Sequence, residues 1–362
     1  MITGMRRLFA ILSLTLILWS WTATGATDVT NTFTVAAYNV ENWLLMERDG
    51  YPNEPKPEES RDKVASILAG IRPDVLGVAE IGTKADLADL QKRLKKNGVD
   101  LPHAEWIESS DTNRHVALLS RFPVVERFSR TADTYQLDGR TMRIQRGILD
   151  VKVRVNDGYA FRVIMLHLKS KRQVEGIDQA TMRLEEARLV RAHVGKALKH
   201  EPSLNLVVMG DLNDTEDTPA IRAIVGEPPF QLHDLKPVST NGYFGTHYYR
   251  GNKSFSRIDY LLASPGMFHE FVAGSARIAQ PENWFDASDH LAVSAQFVAQ
   301  EQDDPPAPQP AAPGQVRDPA PFVQTRSDGG RRWILIASTI VVGVAWIVVR
   351  RRAHRRVVPP GA

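Results

Sequence analysis

Two short strings decide how this chain reads: Gly210-Asp211-Leu212-Asn213 and Ser288-Asp289-His290. An apolar, strand-like run, Leu204–Met209, leads into the first, and another, Leu291–Phe297, follows the second. In α/β proteins the chemistry gathers at strand ends, because the backbone is rigid up to the last residue and the loop beyond opens to solvent. Two carboxylates, an amide and an imidazole delivered at two such ends can hold a hard cation, meet a phosphate and move a proton.

Outward from these strings, strand-like and helix-like runs alternate. Phe33–Tyr38, Asp74–Ala79, Val116–Leu119 and Ile258–Ala263 read as strands. Ser60–Ile71 carries Val64, Ile67, Leu68 and Ile71 at helical spacing, and Lys84–Lys96 does the same with Leu87, Leu90 and Leu94. Gly147–Val155 and Tyr159–Leu168 predict a hairpin joined at Asn156-Asp157-Gly158, since Asp-Gly is a strong hairpin-turn signal. Asp178–His200 predicts the longest helix, buried along Ala187, Val190, Val194, Ala197 and Leu198. Asp217-Thr218-Pro219 predicts a short helix with a cap and a first-turn proline. Hairpins among helices argue against a purely parallel doubly wound sheet. They fit two mixed sheets packed face to face with helices outside, with no internal repeat.

Polar residues sit at six of these strand ends. Asn39 ends the first strand, Glu80 the second, and His167 the hairpin; Asp211 and Asn213 follow Leu204–Met209. Asp259 lies at the start of Ile258–Ala263, and Asp289 and His290 open the last strand. Singly, Glu80 is a carboxylate at a strand end and Asn39 a turn residue; the set gives them weight. An aspartate inside a strand needs a partner, so Asp259 predicts one.

These segments, in this order, resemble the endonuclease/exonuclease/phosphatase superfamily, which includes DNase I, the abasic-site endonucleases, neutral sphingomyelinases and inositol polyphosphate 5-phosphatases. The resemblance spans residues 33–297, and Gly-Asp-x-Asn with a distant Ser-Asp-His is specific only in combination. It implies an α/β fold, a DNase I-like four-layer α/β sandwich of two packed mixed sheets, with the site at one edge of the paired sheets. It also implies a divalent cation, Mg²⁺ or Mn²⁺, with Glu80 the principal ligand, Asn39 beside it and Asp289 a further metal-side or water-side carboxylate. His290 resembles the histidine that activates water or steadies phosphoryl oxygens, with Asp259 orienting it. Asp211 would orient the attacking water and Asn213 would donate to the scissile phosphate. His167 stands where the abasic-site enzymes have tyrosine and where DNase I and the sphingomyelinases have histidine; it would protonate the leaving oxygen or bond a phosphate oxygen.

Lys169, Lys171, Arg172 and Arg146 are further candidates to hold substrate phosphates, with a solvated basic loop the alternative. The histidines His103, His115, His193, His200, His233, His247, His269 and His354 show no paired ligand spacing and read as surface or structural. Tyr243–Tyr249 is rich in aromatics and lines either the cleft or the core.

The two ends of the chain predict location. Residues 1–26 read as a secretory signal: Arg6 and Arg7, the apolar run Leu8–Trp21, then small residues fit for cleavage after Gly25 or Ala26. Trp19 and Trp21 keep an uncleaved anchor as the alternative. Residues 27–300 form one globular domain, 301–330 a proline-rich tether, and 331–356 a transmembrane helix with flanking arginines. The heavier arginine cluster after Val349 belongs in the cytoplasm, which places the domain on the periplasmic or extracellular face.

Residues 27–300 hold 34 Lys and Arg against 37 Asp and Glu, so the overall charge of +3 comes from the two ends. The domain therefore lacks the basic surface of a non-specific nucleic-acid binder. The absence of cysteine excludes a thiol nucleophile, a zinc–thiolate site and disulfides. The expectation is a metal-dependent phosphoester hydrolase, a phosphodiesterase or nuclease first. A sphingomyelinase-like phospholipid diesterase or a phosphomonoesterase comes next, and a non-catalytic tethered binding domain last. No obligate protein partner is inferred; the partners expected are a phosphoester substrate, nucleic acid among the options, and the membrane.

Overall fold

The computed structural model describes residues 31–173, 176–304 and 306. The expected signal, most of the tether and the apolar stretch after residue 330 lie outside the described residues. Among those described, no helix is long and apolar enough to cross a membrane.

In chain order the elements begin β1 (Thr32–Trp43), β2 (Met46–Arg48), β3 (Tyr51–Glu54), α1 (Glu58–Ile71), β4 (Val75–Ile81) and α2 (Lys84–Lys96). There follow β5 (His103–Trp106), β6 (His115–Ser120), β7 (Val124–Arg127), β8 (Thr134–Leu137), β9 (Arg140–Arg143), β10 (Leu149–Asn156) and β11 (Tyr159–His167). Next come α3 (Gln179–His200), β12 (Leu206–Asp211), α4 (Pro219–Val225), β13 (His233–Asp234), β14 (His247–Tyr249) and β15 (Ser254–Ser256). β16 (Asp259–Ala263), α5 (Pro265–His269), β17 (Arg277–Ala279) and β18 (Ala292–Val298) complete the domain.

Two six-stranded mixed sheets result, ordered β17-β18-β1-β4-β6-β5 and β13-β16-β12-β11-β10-β7. Period-2 alternation explains why both faces of each are apolar. In β1, Phe33, Val35 and Ala37 enter the core between the sheets, whereas Ala36, Tyr38 and Val40 enter the layer under α1 and α2. In β12, Val207 and Met209 face the same inter-sheet core, whereas Leu206 and Val208 pack under α3 and α4. Each fully buried Val or Leu contributes roughly 1.5–3 kcal/mol, so these three clusters hold the four layers together. The four-layer α/β sandwich expected from the sequence is the fold observed.

Local details differ. Asp178 caps α3 as the sequence suggests, its carboxylate accepting from Ala180 and Thr181. Ala197 is only half-buried, while Arg183 and Glu186 on the same helix are buried. Thr218 stands at the N-cap of α4 with Pro219 in the first turn, but its side chain makes no cap bond; its hydroxyl donates to the Thr215 carbonyl instead. The β10–β11 turn closes through the Asn156 side chain, which accepts from the Gly158 N–H at 2.9 Å. Short strands such as β2, β3, β5, β7 and β13 carry no alternating pattern long enough to read from sequence.

Candidate active site

Strand pairing puts three polar residues in one row. β11 and β12 run parallel with His167 opposite Asp211, and β16 runs antiparallel to β12 with Asp259 opposite Asp211. Met165, Met209 and Leu261, two residues away on each strand, face the inter-sheet core. By alternation His167, Asp211 and Asp259 therefore leave that core at its open end. Asn39 has the same parity in β1, following Val35 and Ala37.

Glu80 reaches this edge differently. Val75 and Ala79 of β4 face the inter-sheet core, so regular alternation would turn Glu80 towards the helices. Glu80 instead has a φ of 62°, and the β4–β6 register slips between Ala79 and Ile81. Such a bulge re-aims a side chain. The Glu80 carboxylate lies beside Asn39, whose Nδ2 is 3.4 Å from Oε1, and accepts the Asn42 N–H at 2.9 Å.

The Ser288-Asp289-His290 turn closes the site from the other sheet. Ser288 donates to the Asn39 carbonyl at 2.8 Å and accepts the His290 N–H at 3.0 Å, which docks the turn on β1. His290 Nδ1 donates to Asp259 at 2.9 Å, and its Nε2 stands 3.6 Å from Asp211 and 4.0 Å from Asp289. Asn39 Nδ2 donates to Asp211 at 3.0 Å, and His167 Nε2 is 3.5 Å from the same carboxylate. All eight side chains singled out in the sequence thus belong to one edge of the paired sheets.

Burial and charge set the protonation states. Burial, reinforced by the charge of Asp259, pushes the Asp211 carboxyl up to about 7, although His290, Asn39 and the Asn213 N–H oppose it. Burial alone would lower His290, but Asp259 and Asp211 hold it well above its ordinary value. Burial, then Arg146, His290, Arg114 and Lys169, holds His167 well below its ordinary value. The two imidazoles are driven apart, one cationic and one neutral, the pattern that separates acid from base in active sites.

The loops beyond the row are pinned from α3. Asn213, at φ 54°, gives its N–H to Asp211 at 2.8 Å and its Nδ2 to the Leu168 carbonyl at 3.0 Å. The buried Glu186 accepts the N–H groups of Lys169 at 2.7 Å and Gln145 at 3.0 Å, and Arg183 grips Asp214 and the Lys169 carbonyl. Lys169 donates its ammonium to the Ser170 and Arg172 carbonyls, so it ties its own loop. Lys171 is exposed and pairs with Asp214 at 3.4 Å. Arg146 is buried, its Nε on Asp111 at 3.0 Å and its Nη1 on the Leu168 carbonyl at 3.3 Å.

Three residues at the site were not singled out as candidates in the sequence. His247 reads there as surface or structural, yet the structure sets its ring 4.6 Å from that of His290 and its Nε2 3.9 Å from Asp289. An isolated bridge pairs residues 247 and 290 and brings the β14–β15 hairpin over the site. Burial, then His290, lowers the His247 imidazole to about 4. Glu41, at φ 46°, accepts the Asp289 N–H at 3.0 Å and an arginine of the same hairpin, Arg250, at 3.1 Å. Burial, then Asp289, raises the Glu41 carboxyl. Arg114 donates to Asn42 at 2.8 Å and lies 3.8 Å from Glu80. The remaining described histidines fit the sequence reading: His115 is buried against Trp106, and His193 meets Asp150 at 2.5 Å. The aromatic stretch divides, with Tyr243 buried and Phe244 and Tyr249 exposed.

The donor set suits a hard divalent cation. Glu80 and Asp289 are half-buried oxygen donors open to solvent, the arrangement Mg²⁺ or Mn²⁺ accepts while keeping waters. Asn39 presents Nδ2 to Glu80 and Asp211, and its Oδ1 accepts the Glu41 N–H at 3.0 Å, so ligation would use the second lone pair of Oδ1. Among the described residues, two groups of potential ligands have donor atoms all within 4.8 Å: Asp211, Asp259 and His290, and His247, Asp289 and His290. The first is fully buried, with His290 hydrogen-bonded to Asp259 and its Nε2 facing Asp211 at 3.6 Å, so it reads as a proton-handling network.

The model of the endonuclease/exonuclease/phosphatase family matches residues 42–290. Among solved structures, truncated TDP2 from Caenorhabditis elegans is 17% identical with a TM-score of 0.52, covering 74% of this chain and 98% of that one. The human Nocturnin catalytic domain with bound sulfate is 16% identical with a TM-score of 0.53, covering 74% of this chain and 94% of that one. A family protein from Leptotrichia buccalis is 16% identical with a TM-score of 0.51, covering 73% and 99%. No curated protein matches the sequence significantly. At these identities the structures share the fold, and the family model settles membership: the chain belongs to the endonuclease/exonuclease/phosphatase family.

Proposed function

We propose that this chain is a divalent-metal-dependent phosphodiesterase that cuts nucleic acid outside the cytoplasm. One observation carries the reading: the row His167–Asp211–Asp259 and the His290 turn converge with Asn39 and Glu80 at one sheet edge. A divalent cation held by Glu80 and Asp289, with Asn39 beside them, would stabilise the charge that develops on the phosphoryl oxygens. Asp211, raised towards neutrality, orients the attacking water and takes its proton. His290, kept cationic by Asp259 and Asp211, steadies a non-bridging phosphoryl oxygen through Nε2. Neutral His167 hydrogen-bonds a phosphate oxygen, and the free N–H of the Asn213 amide donates to the scissile phosphate.

Export rests on the signal-like residues 1–26, and a membrane anchor on the apolar run Trp333–Val349 with arginines on both sides. A phospholipid headgroup is the second reading. The large apolar side chains left exposed include Leu45, Tyr51, Phe244 and Tyr249, on segments flanking Asn42 and His247. Purified residues 27–306 assayed with Mg²⁺ or Mn²⁺ against plasmid DNA, sphingomyelin vesicles and small phosphate monoesters separate the options. DNA turnover that disappears in Glu80→Gln and His290→Ala is the expected result. No hydrolysis of DNA or RNA with either metal overturns the nuclease.

A further inference from the structure

We propose that Arg114 and Arg146, tied together by Asp111, form a subsite for a second phosphate of the substrate, next to the one that is cut. The proposal rests on the phosphodiesterase reading and narrows it to substrates with a further phosphate beside the scissile bond.

A single carboxylate positions both arginines. Asp111 Oδ2 accepts from Arg146 Nε at 3.0 Å, while Oδ1 accepts the N–H groups of Asn113 at 3.1 Å and Arg114 at 3.0 Å. Arg146 is buried, and its Nη1 reaches the carbonyl of Leu168, the residue after His167. Its Nη2 meets no protein acceptor among the described residues, nor do the two Nη atoms of Arg114, whose Nε is committed to Asn42 at 2.8 Å. Both guanidinium groups bear on His167, and their uncommitted Nη donors match phosphate oxygens, which take paired N–H bonds from such forks.

Asp111 acts on both arginines, the buried Glu186 acts on Arg146 as well, and Glu80 lies 3.8 Å from Arg114. These acids fix the guanidinium groups in place, and the open Nη donors are what a phosphate would meet. The loop lysines are weaker candidates: Lys169 is spent on the Ser170 and Arg172 carbonyls and Lys171 on Asp214. A choline headgroup, being cationic, is repelled by these guanidinium groups. An internucleotide or terminal phosphate is attracted.

Thymidylyl-thymidine probes test the subsite directly: TpT, the same dinucleotide with a terminal phosphate at either end (pTpT and TpTp), and the trinucleotide TpTpT. Affinities are measured calorimetrically on the full chain with the metal removed by EDTA, so no turnover is needed. At least one probe with the added phosphate is expected to bind about tenfold more tightly than TpT, the scale of one charge-assisted contact. Preference for pTpT or TpTp alone assigns a terminal phosphate, and equal preference for TpTpT an internal one. Arg114→Gln should cut the preference below threefold; this half-exposed side chain can be changed without emptying the core. Arg146→Gln should do the same, with its melting temperature as the check on folding. Equal binding of all probes by the unaltered protein overturns the subsite, and so does a preference that survives in folded Arg114→Gln and Arg146→Gln. A preference without any TpT hydrolysis in Mg²⁺ upholds the subsite and overturns the phosphodiesterase reading; hydrolysis without a preference does the reverse.

Discussion

Replacing Gly210 with alanine tests how the Gly-Asp-x-Asn string places its aspartate. Gly210 has a φ of +125°, and an added Cβ would lie 2.1 Å from the Leu166 carbonyl oxygen on the neighbouring strand. That contact is with backbone, so it cannot be relieved by rotating a side chain. Gly98, just beyond α2, is the control, with a φ of +82° and nothing within 4 Å of its Cβ position. Alanine at Gly98 meets only the backbone preference, about 1 kcal/mol. Alanine at Gly210 meets a similar cost and must also push β11 and β12 apart by about 1 Å, adding roughly 1–3 kcal/mol of overpacking. At about 2–4 °C per kcal/mol for a domain of this size, Gly98→Ala should lower the melting temperature by about 2–4 °C and Gly210→Ala by about 5–15 °C. Asp211 is the next residue and sits opposite both His167 and Asp259, so the same displacement should cost about 10²-fold in kcat. Melting by scanning fluorimetry and turnover of a DNA substrate measure the two effects. If Gly210→Ala melted within 2 °C of Gly98→Ala and kept its turnover, close approach of these strands would not be what positions Asp211.

Three further outcomes follow from the same geometry. Asp259→Asn removes the largest influence raising His290, so in metal-free protein the imidazole should titrate at lower pH by NMR, and kcat should fall by about 10²–10⁴. Glu186→Ala strands the N–H groups of Gln145 and Lys169 inside the protein, which should cost about 3–5 kcal/mol in urea unfolding and slow turnover through the loop after His167. Burial raises the Glu270 carboxyl from 4.5 to about 7, so its protonated form favours folding: that contribution is full below pH 4.5 and lost as pH rises through about 7. The shift corresponds to at most about 3.4 kcal/mol, and solvent screening leaves roughly 1–2. Glu270→Gln should therefore match the unaltered protein near pH 4.5 and melt several degrees higher at pH 8.

The central strands were legible because each runs through two apolar layers. A residue pair such as Val207 and Val208 is apolar on both faces, and a run of such pairs ending in Gly210-Asp211 has few other readings. The α2 boundaries coincide with those expected, because Thr83 and Asp86 form a capping box and Leu87, Leu90 and Leu94 keep one face. The short edge strands were not legible. β13 has two residues and β14 three, and their backbone bonds depend on neighbours far away in sequence rather than on any local pattern.

The site divides along the same line. Asp259 was legible because a carboxylate inside an apolar strand needs a partner, which it finds in His290, and Asp211 was legible as the acid of the Gly-Asp-x-Asn string, where it meets Asn39. Glu80 could be named as a strand-end acid, but not its direction, since that follows from a positive φ that no neighbouring glycine announces. His247, Glu41 and Arg114 owe their positions to contacts between segments. His247 arrives through the bridge to His290, Glu41 through the Asp289 N–H and Arg250, and Arg114 through Asn42 and Asp111. None stands at the end of an apolar run, so nothing local separates it from a surface residue. The central row is built by regular strand pairing, whereas the lips around it are built by side chains crossing between loops. Substrate choice should therefore vary most through residues of this second kind, Arg114 and His247 among them, while the row that handles the proton stays tied to the sheet.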